Sequence, residues 1–146
     1  MDKEHLTLQD VVCGDFVQEW LDIPGKWSMP MYIDGVFGDG SLYLNFDGNE
    51  ADPWDANVKD VYDIPIDSDI LPHFGFAEIC KDMFRIDVGE LLLAVHVFNV
   101  YNGSLATATI SNKNGEIIIL GWVNSIRKLQ HLFYDETKKP LKIVFE

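Results

Sequence analysis

The 146-residue chain has few basic residues, few cysteines and no long apolar run. Lys and Arg number 11 against 24 Asp and Glu, which leaves a net charge of −13. This shortage of basic residues argues against binding to nucleic acid or anionic lipid, because a binder needs Lys and Arg to neutralise the phosphates of either ligand. The longest apolar stretches, Leu91–Val95 and Ile117–Gly121, are far shorter than a membrane span of about 20 residues. We therefore expect a protein that binds neither nucleic acid nor membrane.

Cysteine and histidine are also too sparse and scattered for a metal centre. Cys13 and Cys80 lie far apart, and the first residues lack the basic and apolar regions of a signal peptide. We therefore expect a cytoplasmic protein whose thiols are reduced and mostly buried. No C-x-x-C or H-x-x-x-H pair occurs, so neither a transition metal nor another cofactor is expected. His96 shares a strand face with Ala94 and Phe98, which favours a core or interface histidine.

No catalytic motif is present. The chain has no G-x-S-x-G, no P-loop and no G-x-G-x-x-G, and Gly40-Ser41 opens a strand without an evident partner base. A pair of carboxylates brought together by folding stays open as an alternative, because 24 acidic residues offer many such pairs. The sequence favours a non-enzymatic protein, with an enzyme of unrecognised site as an alternative.

The first half of the chain predicts a bent antiparallel sheet or partial barrel. Strands are expected at Phe16–Trp20, Met29–Ile33 and Ser41–Phe46, with a glycine-rich turn region before the last. A helix beginning in Leu6–Val12 is the alternative for the first segment, but Gly14 in its middle would cost about 1 kcal/mol. The remaining expectations are a loop throughout Asp47–Asn57 and a short strand or extended connector over Val58–Ile66.

The second half predicts a sheet packed by one main helix, so the fold class is α+β. One domain is expected, with residues 1–67 and 68–146 as a possible subdivision. A short helix capped by Ser68 should stop at Gly75, and Asn124 or Ser125 should cap the main helix, which reaches about Tyr134. On that helix Arg127, Lys128 and His131 should point away from the apolar face. The expected strands are Met83–Val88, Leu91–Tyr101, the hairpin pair Leu105–Ser111 and Glu116–Trp122 around Asn114-Gly115, and Leu141–Phe145.

All of the net charge lies in the first half. Residues 1–69 hold 16 acids against 3 lysines, whereas residues 70–146 hold 8 acids and 8 bases. Aromatic residues among these carboxylates suit the capture of Arg and Lys, although Trp27 and Trp54 could instead simply cover the small sheet. We predict that the acidic face formed by the segment Asn45–Asp69 docks a basic protein, as an inhibitor, an antitoxin-like protein or a nucleic-acid mimic would. The predicted docking residues are Asp47, Glu50, Asp52, Trp54, Asp55, Asp60 and Asp63.

A weak calcium site is the alternative for the same acidic segment. An EF-hand loop starting at Asp47 fails, because Ala51, Asp52 and Val58 occupy positions 5, 6 and 12. A non-standard site could still use the oxygens of Asp47, Asn49, Asp52 and Asp55, against the simpler interpretation of a solvated acidic loop.

Two segments of the sequence resemble motifs that occur together in a known group of proteins. One runs from Ile64 to Leu71 and leads to Gly75-Phe76, and the other runs from Val123 to Tyr134 before Pro140–Ile143. With Gly14–Val17 as an opening strand, the chain resembles small uncharacterised proteins of gut-type anaerobic bacteria and their prophages or mobile elements. That group has no assigned activity, so the resemblance implies a shared fold and a mobile-element context. Members commonly carry a His before Leu-Gln, where this chain has Arg127-Lys128, so no role of that His carries over.

Overall fold

The computed structural model describes residues 4–49, 51–101 and 103–146, and the chain divides into two compact units, Met1–Ile64 and Pro65–Glu146. The first unit carries an antiparallel sheet curled into a half-barrel. The second carries an open antiparallel sheet and one C-terminal helix. The predicted α+β class, with a bent first sheet and a helix-packed second sheet, is confirmed. The single-domain interpretation stays a prediction.

The sheet of the first unit is organised around its first strand. Val17 pairs with Met31 on one side and with Asp63 on the other, so this strand is central. A 3-10 helix at Val58–Asp60 connects the last two strands. The sheet runs β2-β1-β3-β4-β5, with β6 paired to β1, and its strands are β1 (Phe16–Leu21), β2 (Lys26–Trp27), β3 (Met31–Val36), β4 (Ser41–Asn45), β5 (Trp54–Asn57) and β6 (Val61–Asp63).

Alternation along the strands builds the core of the first unit. In β4, Leu42 and Leu44 are fully buried, while Tyr43 between them is exposed on the opposite face. Burying one such leucine contributes about 1.5–3 kcal/mol of hydrophobic free energy. The core cluster consists of Leu6, Val11, Val17, Met31, Ile33, Leu42, Leu44 and Val61.

Some predictions for the first unit need correction. The strand at β1 is confirmed over the helix alternative, and β6 confirms a short strand within Val58–Ile66. The prediction of loop throughout Asp47–Asn57 is wrong for Trp54–Asn57, which forms β5. Asp55, Ala56 and Asn57 have weak strand propensity, but β4 pairs with every residue of this segment. Lys26–Trp27 also forms a short strand, which the sequence pattern did not predict.

The second unit is a five-stranded meander followed by a helix. Neighbouring strands are joined in chain order, and the predicted Asn114-Gly115 hairpin is confirmed, with Gly115 at φ 81°. The bounds are β7 (Ala77–Cys80), β8 (Met83–Val88), β9 (Leu91–Val100), β10 (Gly103–Ser111), β11 (Ile117–Val123) and α1 (Ile126–Thr137).

The helix α1 packs against β11 and begins at a side-chain cap. The Ser125 hydroxyl oxygen accepts the Lys128 backbone N–H at 3.2 Å, which confirms one of the two predicted caps. Arg127 was expected to point outward, yet it is buried. A helix buries a stripe wider than its apolar residues alone, and the aliphatic stem of Arg tolerates that position. In the described residues, no helix is long and apolar enough to cross a membrane.

Two further predictions for the second unit are corrected. Ser68 caps no helix: its hydroxyl donates to Asp82 Oδ1 at 2.7 Å, and Asp67 Oδ1 instead accepts the backbone N–H groups of Asp69 and Ile70. The short helix is the 3-10 segment Leu71–Phe74, and Gly75 ends it as predicted. The predicted strand Leu141–Phe145 is absent: Leu141 and Ile143 are buried, but the segment pairs with no strand.

Replacing a core leucine should destabilise the first unit strongly. Leu44→Ala leaves a cavity at a fully buried position, and we expect it to cost about 2–5 kcal/mol of unfolding free energy. Val12→Ala, at an exposed position of the same unit, should change the free energy by less than about 0.5 kcal/mol. Urea unfolding of both variants measures this difference, and equal costs would contradict the proposed core.

Removing the cap of α1 should destabilise the helix. Ser125→Ala leaves the Lys128 N–H without its side-chain acceptor, and we expect a loss of about 1 kcal/mol in unfolding free energy. Ser125→Asp retains an acceptor oxygen and should recover part of the loss. If chemical denaturation ranks the aspartate variant below the alanine variant, capping is not the role of this side chain.

Candidate functional site

Every predicted docking residue belongs to the first unit, although Glu50 lies outside the described residues. Asp47, Asp52 and Asp55 are exposed, and Asp60 and Asp63 are half-buried. Within the described part of the chain, the three exposed carboxylates make no ion pair, so their charge faces solvent unneutralised. The acidic segment Asn45–Asp69 crosses the boundary between the units, and Asp67 and Asp69 belong to the second unit.

An exposed aromatic pair lies beside one of these carboxylates. Tyr43 in β4 is the cross-strand partner of Asp55 in β5, so their side chains share a face of the sheet. The Tyr43 ring packs edge-to-face against Phe37, with centroids 5.0 Å apart. A Cβ at Gly35 would lie 3.3 Å from each of these rings, so the glycine permits their close approach. The result is a surface with ring faces next to negative charge.

The turn before β4 carries a further fixed charge. The Asp39 carboxylate accepts the backbone N–H of Ser41 at 2.9 Å. This hydrogen bond favours the ionised form, so it lowers the pKa of Asp39 below its ordinary value. The side chain is fully exposed, and its negative charge therefore adds to the field of the first unit.

A buried carboxylate orients Trp54. The Trp54 indole N–H donates to Glu19 Oε1 at 2.8 Å, which ties edge strand β5 to central strand β1. Glu19 is only 8% exposed, whereas Trp54 is 50% exposed. Burial raises the pKa of Glu19, the Trp54 hydrogen bond partly offsets that rise, and the negative charge of Asp60 adds to it. The indole is thus fixed at its polar edge while half of its surface stays open.

Amide side chains hold the loop after β4 through hydrogen bonds. The buried Asn45 Oδ1 accepts the Phe46 backbone N–H at 2.9 Å and an Asn49 amide hydrogen at 3.2 Å. The Asn49 side chain also donates to the carbonyl oxygen of Asp52 at 2.9 Å. Among the described residues, no three side chains of His, Cys, Asp or Glu are grouped so that they could hold a metal ion. The loop therefore offers no such group to calcium at Asp47, Asn49, Asp52 and Asp55.

The other tryptophans of the first unit form a separate cluster. Trp20 packs edge-to-face on Trp27 with centroids 5.0 Å apart, and Trp27 packs on Tyr62 at 5.1 Å. All three rings are half-buried. This packing agrees with the alternative in which Trp27 covers the sheet, whereas Trp54 is the more open indole of the two.

The second unit contains a polar cleft of about 450 Å³ that sequence reasoning missed. Its walls come from three separate stretches of chain, so no local motif marks it. Ser68 donates to Asp82, Asp67 accepts two backbone N–H groups, and the Ser104 hydroxyl donates to the Ile66 carbonyl oxygen. These polar groups therefore support the local structure, and neither serine donates to a histidine. The cleft is lined by Pro65, Asp67, Ser68, Asp69, Asp82, Asn99, Gly103 and Ser104.

The prediction of mostly buried thiols is wrong. Cys13 and Cys80 are both free and both exposed. Cys13 lies in the turn before β1, and Cys80 ends β7, an edge strand, so neither reaches a core. His96 is half-buried on the outer face of β9, where its ring lies 4.1 Å from that of Phe98.

Comparison with known proteins supplies no relative. No protein-family model, curated protein or solved structure matches the chain. The resemblance to small mobile-element proteins therefore stays a prediction.

The raised pKa of Glu19 should make stability depend on pH. The folded state favours the protonated form of Glu19. The stabilisation that this carboxyl group contributes is therefore complete below its pKa in the unfolded chain, and it is lost as the pH rises through its pKa in the folded protein. Glu19→Gln is neutral at all pH values and retains an oxygen acceptor for Trp54. Relative to wild type, its melting temperature should therefore rise as the pH increases above about 4, the ordinary pKa of a glutamate. Glu136→Gln, at an exposed helix position, serves as the control, and a pH-independent difference for Glu19→Gln would contradict the assignment.

Proposed function

We propose that this protein is a non-enzymatic binding protein whose acidic first unit docks a basic protein partner. The observation that carries the proposal is the exposed, unneutralised set Asp47, Asp52 and Asp55, of which Asp55 lies opposite the exposed Tyr43 ring. Residues 1–64 hold 14 acids against 3 lysines, a net charge of −11. Such a field raises the encounter rate with cationic partners and repels anionic ones.

The side chains suit arginine and lysine in particular. A guanidinium or ammonium group can contact an aromatic face and a carboxylate at the same time, and exposed cation–π contacts contribute about 0.5–1 kcal/mol. Tyr43 and Asp55 share one face of the sheet and offer both kinds of group there, whereas Trp54, opposite Leu44, lies on the other face of β5. Trp is enriched at the centre of protein interfaces, where it supplies a large contact area.

The surface is also ordered before binding. Glu19 fixes the Trp54 indole, Gly35 lets Phe37 support Tyr43, and Asn49 holds the preceding loop. Side chains that are already ordered lose less conformational entropy on association, which favours affinity. An inhibitor, an antitoxin-like protein or a nucleic-acid mimic needs such a preformed acidic surface. The mobile-element context implied by the resemblance, together with a cytoplasmic location, belongs to the same proposal.

Neutralising the three exposed aspartates should abolish specific capture of the partner. Immobilised wild type would be compared with Asp47→Asn/Asp52→Asn/Asp55→Asn in extract of the source organism, with salt-gradient elution and mass spectrometry. A matched variant removes the same charge from exposed positions of the second unit, as Asp87→Asn/Asp135→Asn/Glu136→Gln. The partner should be a basic protein retained by wild type and by the matched variant but lost by the first variant.

Binding measurements with the purified partner then give the size of the loss in affinity. Three exposed charge contacts together correspond to about a tenfold loss in affinity for the first variant, and to little change for the matched one. Affinity should also fall between about 0.1 M and 1 M salt, because exposed charges are screened. Equal losses of affinity in both variants would show that net charge alone causes the effect, which would contradict a specific docking face. Unchanged affinity in the first variant would refute the acidic docking face.

A further inference from the structure

An edge strand of the second sheet is unusually apolar. The order β11-β10-β9-β8-β7 leaves β11 at the edge, and its first four residues, Ile117–Leu120, carry no charge. Ile117 is 69% exposed, Ile118 44% and Ile119 76%, so isoleucines are open on both faces of the strand. Exposed apolar edges are rare, because they pair readily with other strands.

The backbone of this edge is directed outward at the two most exposed positions. The Asn112 N–H donates to the Glu116 carbonyl at 3.1 Å, which makes these two residues a hydrogen-bonded pair at the hairpin end. Hydrogen-bonded and non-hydrogen-bonded pairs alternate along an antiparallel ladder, with Ile118 opposite Ile110. The N–H and C=O groups of Ile117 and Ile119 therefore point away from β10.

The other edge of the same sheet carries the protection that β11 lacks. In β7 a register shift interrupts the pairing between Glu78 and Cys80, and charged Glu78 lies within the strand. Irregular pairing and charge both hinder edge-to-edge association. In β11 the bulge falls opposite Ala108/Thr109, beyond Ile117–Ile119, and the isoleucine run is left regular.

We propose that β11 is a self-association strand, which pairs antiparallel with β11 of a second copy of this chain about a two-fold axis at Ile118. Ile117 of one copy then lies opposite Ile119 of the other, and the outward groups form hydrogen-bonded pairs. Each exposed isoleucine faces another isoleucine across the junction. The two five-stranded sheets become one continuous sheet.

Charge favours a second copy in this register. Residues 70–146 hold 8 acids and 8 bases, so this half lacks the net charge of the acidic half. Glu116 falls opposite Leu120 of the other copy, so no like charges meet directly across the junction. The pairing is thus self-complementary, as a two-fold interface requires.

The available area sets the expected strength. Trp122 is 59% exposed on the face shared with Ile117 and Ile119, and its ring lies 5.5 Å from that of Phe98, which extends the apolar surface. The largest apolar patch of a typical monomeric protein covers roughly 300–600 Å², below the standard interface of about 800 Å² per partner. We therefore expect a reversible dimer with a dissociation constant in the micromolar range.

The test is the concentration dependence of the oligomeric state of the full chain, measured by sedimentation equilibrium. Ile119→Lys adds a charge at the outer edge, and Ile119→Pro removes only an outward-pointing N–H, which an edge strand tolerates. Both should weaken dimerisation about tenfold or more. Ile79→Lys, the same change at an exposed position of the opposite edge, should leave it unaltered. Circular dichroism would verify that each variant is folded.

Wild type should dimerise, and more tightly at about 1 M than at about 0.1 M salt, because screening weakens repulsion between two chains of charge −13. This salt response is opposite to that of the acidic docking face. Wild type that stays monomeric up to millimolar concentration would overturn the proposal. A dimer that persists unchanged in both folded Ile119 variants would also overturn it. So would a dimer that dissociates in the Ile79→Lys variant but not in the Ile119 variants.

Discussion

The two-sided pairing of β1 is the constraint on which the first unit depends. β1 pairs with β3 on one side and with β6 on the other, and the curled sheet brings β5, at the far end of the order, back to β6 through the short 3-10 helix Val58–Asp60. The curl lets Glu19 of β1 accept the Trp54 indole of the edge strand. The orientation of the half-exposed Trp54 indole therefore depends on backbone pairing at the centre of the sheet, and not on the acidic segment itself.

The uneven charge distribution gives the two units different surfaces. In the first unit, aspartates on turns and at the edge strand face solvent, which suits contact with cations and keeps like molecules apart. The second unit has balanced charge after residue 69, and it exposes an edge strand with apolar side chains together with aromatic rings. In the proposed contacts, long-range electrostatics would govern the first surface, and short-range burial with backbone hydrogen bonds would govern the second. Ionic strength would consequently act on the two proposed contacts in opposite directions.

Sequence patterns predicted the elements whose causes are local. The alternation in β4, the Asn114-Gly115 turn and the Ser125 cap each depend on residues a few positions apart, and each is confirmed. Predictions failed where pairing with a segment distant in sequence decided whether a strand forms. Trp54–Asn57 became a strand because β4 was available to pair with it, and Leu141–Phe145 formed none because no strand edge pairs with it. Arg127 and the two cysteines show that residue type alone is a weak guide to burial.

For the candidate site, the sequence by itself determined the excess of carboxylates, their clustering with aromatic residues and the absence of known catalytic motifs. These are properties of composition and spacing, so no folding is needed to state them. Only the tertiary structure decided that Glu19 holds Trp54, that Tyr43 lies across from Asp55, and that Ile117 and Ile119 occupy an unprotected edge. Each of these depends on which strands pair and on which strand is left outermost, and pairing between distant segments is governed by the free energy of the whole sheet.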